Sequence, residues 1–247
     1  MNLEIILTIL FFFVSILYSS VGLGGGSSYT ALMAIVNVDH ELIPTTTLTL
    51  NLGVTLIGMF NFWRGGHLNL RLILPFLVTS IPMAYLGGAL ELSREVFYWL
   101  LLITLVLVAL RIYLWGELRL HLQLVVWQKL VVSMVLGAIL GFVAGTVGIG
   151  GGIYLVPLLI LFGLSSEKQA AASGACFIWV NSLSGLIARA QRGTFNAEWI
   201  FPLLGAVIIG GFIGSHFGAQ RFSPRMVQQT LGLVILIAIF YLLRSLL

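Results

Sequence analysis

The stretch SSVGLGGGSS, residues 19–28, puts four glycines into the five positions from Gly22 to Gly26, directly after an unbroken apolar run. Glycine weakens a helix, and hydrocarbon offers backbone amides no water, so a chain that breaks here needs a physical reason to do so. The stretch also occurs twice. Ser20-Val-Gly-Leu-Gly-Gly-Gly26 lies over Thr146-Val-Gly-Ile-Gly-Gly-Gly152 with only conservative changes. Downstream, Asn51 falls on Asn181, Arg64-Gly65 on Arg192-Gly193, Asn69 on Asn196, Pro75 on Pro202 and Gly87 on Gly214.

Around these breaks the chain is apolar almost throughout. Its 247 residues are 60% hydrophobic and only 8% charged, and the mean hydropathy is +1.10, outside the range of soluble domains. Runs long enough to cross about 30 Å of hydrocarbon as a helix recur at 3–21, 43–63, 70–90, 96–115, 127–147, 169–189, 198–219 and 226–246. The reading is an all-α polytopic membrane protein with about eight transmembrane helices in two homologous repeats, each with a Gly-rich break and a short half-helix. The first repeat covers 1–116, an inter-repeat loop 117–126 and the second repeat 127–247. The first run carries Glu4 in place of a basic leader and has no Ala-x-Ala cleavage site, so it reads as a retained span.

The same residues exclude several function classes. The net charge of +4 comes from few groups clustered at span ends; it fits topology and lipid headgroups, not nucleic acid. Gly22-x-Gly24 is followed by Ser27 and Gly148-x-Gly150 by Ile153 where a dinucleotide fingerprint needs a third glycine, and no Gly-Lys-Ser phosphate loop is present. The single Cys176 permits no internal disulfide, and no His, Cys or acidic cluster has metal-ligand spacing. The chain therefore reads as a non-enzyme without metal or cofactor.

Its topology has two solutions. From Leu3 to Val36 the chain is too long for one crossing and too short for two, which makes 27–36, and likewise 153–163, a half-helix behind each break. A broken unit that crosses once net gives parallel halves, with 64–71, 111–129, 189–198 and both termini cytoplasmic. One that crosses twice gives inverted halves, with 64–71, 111–129, 163–168 and 220–225 cytoplasmic. Each scheme puts eight of the twelve Lys and Arg inside, so the positive-inside rule does not choose.

No Asp or Glu falls in mid-span, which leaves backbone and neutral side chains to hold a ligand. A Gly-rich turn opening a helix presents free N–H groups and the positive end of the helix dipole, and glycine keeps side chains out of the way. Two such turns facing one another make an anion pocket. Its candidate residues are Ser20, Gly22, Gly24, Gly25, Gly26, Ser27 and Asn51 in the first half, with Thr146, Gly148, Gly150, Gly151, Gly152 and Asn181 in the second. The asparagines read as donors to the ligand, with interhelical hydrogen bonding as the alternative. Gly137, Gly141 and Gly145, and Gly210, Gly214 and Gly218, read as helix-packing stripes.

The doubled Gly-x-Gly-Gly-Gly, each copy followed by an Asn-bearing helix and then an Arg-Gly, resembles the sulfite exporter TauE/SafE family of membrane permeases over nearly the whole chain. That resemblance implies a secondary carrier of small sulfur-containing anions, of the sulfite, sulfonate, sulfoacetate or thiosulfate type, working by alternating access in the cell (inner) membrane. An anion channel and a permease for a carboxylate are the competing expectations. Ser27-Ser28 against Ile153-Tyr154 departs from strict equivalence of the two halves.

Overall fold

The computed structural model describes residues 3–20, 23–114, 125–217 and 224–246. These form α1 (Leu3–Ser20), α2 (Gly26–Ile35), α3 (Leu42–Arg64), α4 (Leu70–Ala89), α5 (Arg94–Leu114), α6 (Val126–Val147), α7 (Gly152–Leu161), α8 (Glu167–Ala190), α9 (Ala197–Phe217) and α10 (Pro224–Leu246). Eight are long and apolar enough to span a membrane; α2 and α7 are ten-residue helices, about 15 Å long and thus half a bilayer. A capping box of Ser166 and Gln169 opens α8, with each residue's main-chain N–H donating to the other's side-chain oxygen at 3.3 and 3.4 Å. Asn69 caps α4 by accepting from Leu72 N–H.

Contacts along the helices fix their directions. Gly137, Gly141 and Gly145 of α6 lie in order against Phe76, Ser80 and Ala84 of α4, where an added Cβ would stand 2.4, 2.3 and 2.0 Å from the carbonyl oxygens. Gly210 and Gly214 of α9 lie likewise against Phe12 and Ile16 of α1. Both pairs therefore run parallel, and only residues without a side chain allow backbones this close. The stripe member Gly218 lies outside the described residues. At one end of the bundle, Thr45 of α3 bonds Thr194 after α8 at 2.9 Å, Arg192 donates to Leu90 O after α4, and Asn37 after α2 reaches Tyr241 near the end of α10. We call this the terminal face, because α1 starts there and α10 ends there.

These directions answer the length puzzle. α1 runs from the terminal face to the opposite one, the break brings the chain back to mid-depth, and α2 continues to the face where α1 began. Tyr29 of α2 accordingly packs back against Phe11 of α1, ring centroids 4.7 Å apart. The unit α6–α7 does the same from the opposite face: α7 packs Leu155 and Leu159 among Ile73, Phe76 and Leu77, near the start of α4. Each broken unit goes out and back, so helices α6–α10 run opposite to α1–α5. Cys176 is a packed core residue beside Phe177.

Candidate anion site between two broken helices

Each break is built from residues in left-handed backbone. Gly25 has φ +88°, and its carbonyl accepts from Ser28 and Tyr29 N–H to start α2. Gly148, φ +84°, ends α6, and Gly150 and Gly151, φ +81° and +70°, turn the chain into α7. An L-residue with a side chain pays roughly 1–2 kcal/mol in this region, so glycine is what lets the chain leave one helix and begin the next within a few residues.

The two breaks meet in the middle of the protein. A Cβ added to Gly26 would lie 2.7 Å from Ile149 O and 2.8 Å from Asn51 Nδ2; one on Gly150 would lie 2.9 Å from the same nitrogen. Gly24 faces Thr55, Asn51 Oδ1 and Ile178, and Gly152 faces Ile178 and Gly174 O. Asn51 of α3 and Ile178 of α8 thus stand between the N-termini of α2 and α7. Glycine here also serves close packing, since a methyl group at any of these four positions would collide with a neighbour.

Asn51 is fully buried, and its Nδ2 donates to Gly148 O at 3.3 Å. Its NH2 group therefore makes an interhelical hydrogen bond, the alternative weighed for it above. Two half-helices pointing their positive ends at one spot repel each other unless something electron-rich lies between them. In the second break the N–H groups of Ile149, Gly150, Gly151 and Ile153 find no backbone acceptor among the described residues, whereas Gly152 N–H bonds Gly150 O. Buried amides without acceptors are rare in proteins and mark places where a ligand or water completes the structure.

Most polar atoms of the other candidate side chains are engaged elsewhere. Ser20 Oγ donates to Leu17 O and Thr146 Oγ1 to Phe142 O, each within its own helix. Ser27 Oγ pairs with Tyr18 OH at 2.7 Å. Asn181 Nδ2 donates to Phe177 O one turn back, leaving its buried Oδ1 without a partner among the described residues. Gly25 abuts the Tyr29 ring, Gly148 the Pro44 backbone and Gly151 the Phe177 ring. Gly22 lies outside the described residues.

Sequence reasoning missed Ile178 and Arg189. Ile178 is one apolar residue among many; only its place one turn before Asn181 connects it with the repeat. Arg189 is 3% exposed and donates to Gly145 O and Thr146 O, the carbonyls just before the second break. Its position in the last turn of α8 is where a topology anchor stands, yet it holds the end of α6. Arg192, the repeat equivalent of Arg64, lines a cleft of about 540 Å³ at the terminal face with Asp39, Glu41, Thr194, Asn196 and Glu198. That lining is mainly acidic and polar, and includes none of the break glycines.

Comparison with known proteins agrees with this architecture. Residues 7–242 match the sequence family described as Sulfite exporter TauE/SafE. The chain is similar to the probable membrane transporter protein y4hK of Sinorhizobium fredii, 31% identical over 94% of this chain and 95% of the relative. It is also similar to the probable membrane transporter protein YjnA of Bacillus subtilis, at 28% identity over 96% and 98%. A probable membrane transporter protein of Methanocaldococcus jannaschii is 25% identical over 93% and 91%. No solved structure matches the chain.

Proposed function

Because this chain belongs to the sulfite exporter TauE/SafE family and is a membrane transporter, we propose that it carries small sulfur-containing anions across the cell membrane by alternating access, binding them between the two breaks. The observation that carries this reading is the convergence of the α2 and α7 N-termini on Asn51, with four buried amides of the second break lacking acceptors among the described residues. A sulfonate or sulfite group supplies the acceptor oxygens that such a spot lacks, without requiring a fixed positive charge.

The residues 1–116 and 127–247 act in this reading as two inverted repeats that part alternately toward either face, the arrangement of many secondary transporters. The helix directions correspond to the inverted scheme, whose cytoplasmic segments are 64–71, 111–129, 163–168 and 220–225. These segments hold the majority of Lys and Arg, while Glu4, Asp39, Glu41, Glu91, Glu95 and Glu198 belong to the terminal face. The positive-inside rule then puts both termini outside the cytoplasm.

The test is a thermal-shift screen of the purified chain against sulfite, sulfate, thiosulfate, sulfoacetate, taurine and carboxylate controls, followed by flux in proteoliposomes. Stabilisation by one or more sulfur anions, with saturable flux and trans-stimulation, is expected. Stabilisation by carboxylates alone moves the substrate to that class, and unsaturable flux without trans-stimulation makes the protein a channel.

A further inference from the structure

Resting on that anion reading, we propose that the solute held between the breaks carries a hydrogen-bond donor next to its negative group, and that Asn51 accepts from it. The side chain is 0% exposed. Its Nδ2 donates to Gly148 O, and a carbonyl only accepts, so the amide cannot turn over without setting oxygen against oxygen. This orientation leaves Oδ1 with no partner among the described residues. Oδ1 is aimed into the first break, 2.9 Å from where a Cβ of Gly24 would stand and 3.1 Å from that of Gly26. The neighbouring Thr55 hydroxyl does not serve it, because that proton goes to Asn51 main-chain O at 2.6 Å.

The site therefore offers two kinds of unmet demand a few ångströms apart: amide N–H groups that need acceptors, and one amide oxygen that needs a donor. A fully ionised oxyanion without any proton answers the first and sets lone pairs against the second. A buried acceptor left unpaired is costly. A hydroxyl, an ammonium or a protonated oxygen within two or three bonds of the anionic group answers both. The substrate class narrows to small anions of this kind, and Asn51 becomes the residue that tells them from their donor-free analogues.

Isethionate and propane-1-sulfonate differ only in a hydroxyl replaced by a methyl group, and their binding to the purified full chain tests the proposal. Isethionate is expected to bind at least about tenfold more tightly, since a pocket built to hydrogen-bond a hydroxyl discriminates strongly against the analogue lacking it. In Asn51→Leu the ratio of the two affinities is expected to fall to about one, whatever the absolute affinity of either sulfonate. Equal affinity in the wild type overturns the donor requirement and leaves the amide cradle standing; this comparison decides by itself if the variant does not fold. Discrimination that survives Asn51→Leu overturns the assignment to Asn51. Absence of binding by both sulfonates, sulfite and thiosulfate overturns the anion reading and the donor requirement together.

Discussion

At the scale of single residues, glycine does two separable things in this protein. At Gly25 and Gly66 the backbone is left-handed, φ +88° and +71°, but only Gly25 is also crowded, with the Tyr29 ring 2.7 Å from where a Cβ would stand. Nothing lies within 4 Å of a Cβ at Gly66. Gly66→Ala is expected to cost about 1 kcal/mol, the backbone share alone, and Gly25→Ala at least about 2 kcal/mol more. Thermal unfolding of the purified variants checks this; equal losses would mean that Tyr29 swings aside freely. The glycine triplets were legible as breaks because no packing motif needs three in succession. The identity of their neighbours was not, since Ile178 and Thr55 resemble any other residues of an apolar helix. Arg189 was hidden for another reason: burial of a charge on helix carbonyls leaves no mark in its sequence position.

Among elements, the decisive contacts are those in which glycine stripes admit a neighbouring backbone. An added methyl at Gly141 of α6 would stand 2.3 Å from Ser80 O, in a rigid helix with nowhere to go, whereas Gly205 of α9 has nothing within 4 Å. Gly141→Ala is accordingly expected to pry α4 from α6 and lower the melting temperature by several degrees, on the order of 1–3 kcal/mol, while Gly205→Ala leaves it unchanged or raised. Comparable melting of the two would show that the α4–α6 pair tolerates separation. The stripes and both half-helices were readable from spacing, and α2 and α7 end within one or two residues of the positions expected. Their direction was not. Thirty-odd apolar residues fit a span plus a half-helix whichever way the second piece turns, and the basic residues balance equally in both schemes. Only the tertiary neighbours, Tyr29 on Phe11 and Leu159 near the start of α4, reveal the return.

For the molecule as a whole, the out-and-back units make a definite statement about sidedness. With Cys176→Ser as background, Glu198→Cys at the terminal face is expected to react with an impermeant maleimide on intact cells. His67→Cys, in the connection between α3 and α4, is expected to react only after permeabilisation. Labelling of both from one side contradicts the helix directions described here and matches the parallel scheme, in which 64–71 and 189–198 share a face.

One electrical consequence follows from a mid-depth meeting point made of amides and an uncharged asparagine. On the proposed reading, an anion held there is the charge that moves, and neither the break glycines nor Asn51 supplies a fixed counter-ion to cancel the work of moving it. In that case each monoanion passing from one face to the other without a co-transported cation carries current, and an interior-negative potential favours its exit by about 2.3 kcal/mol for every 100 mV. Voltage alone then supplies a driving force, with no nucleotide consumed.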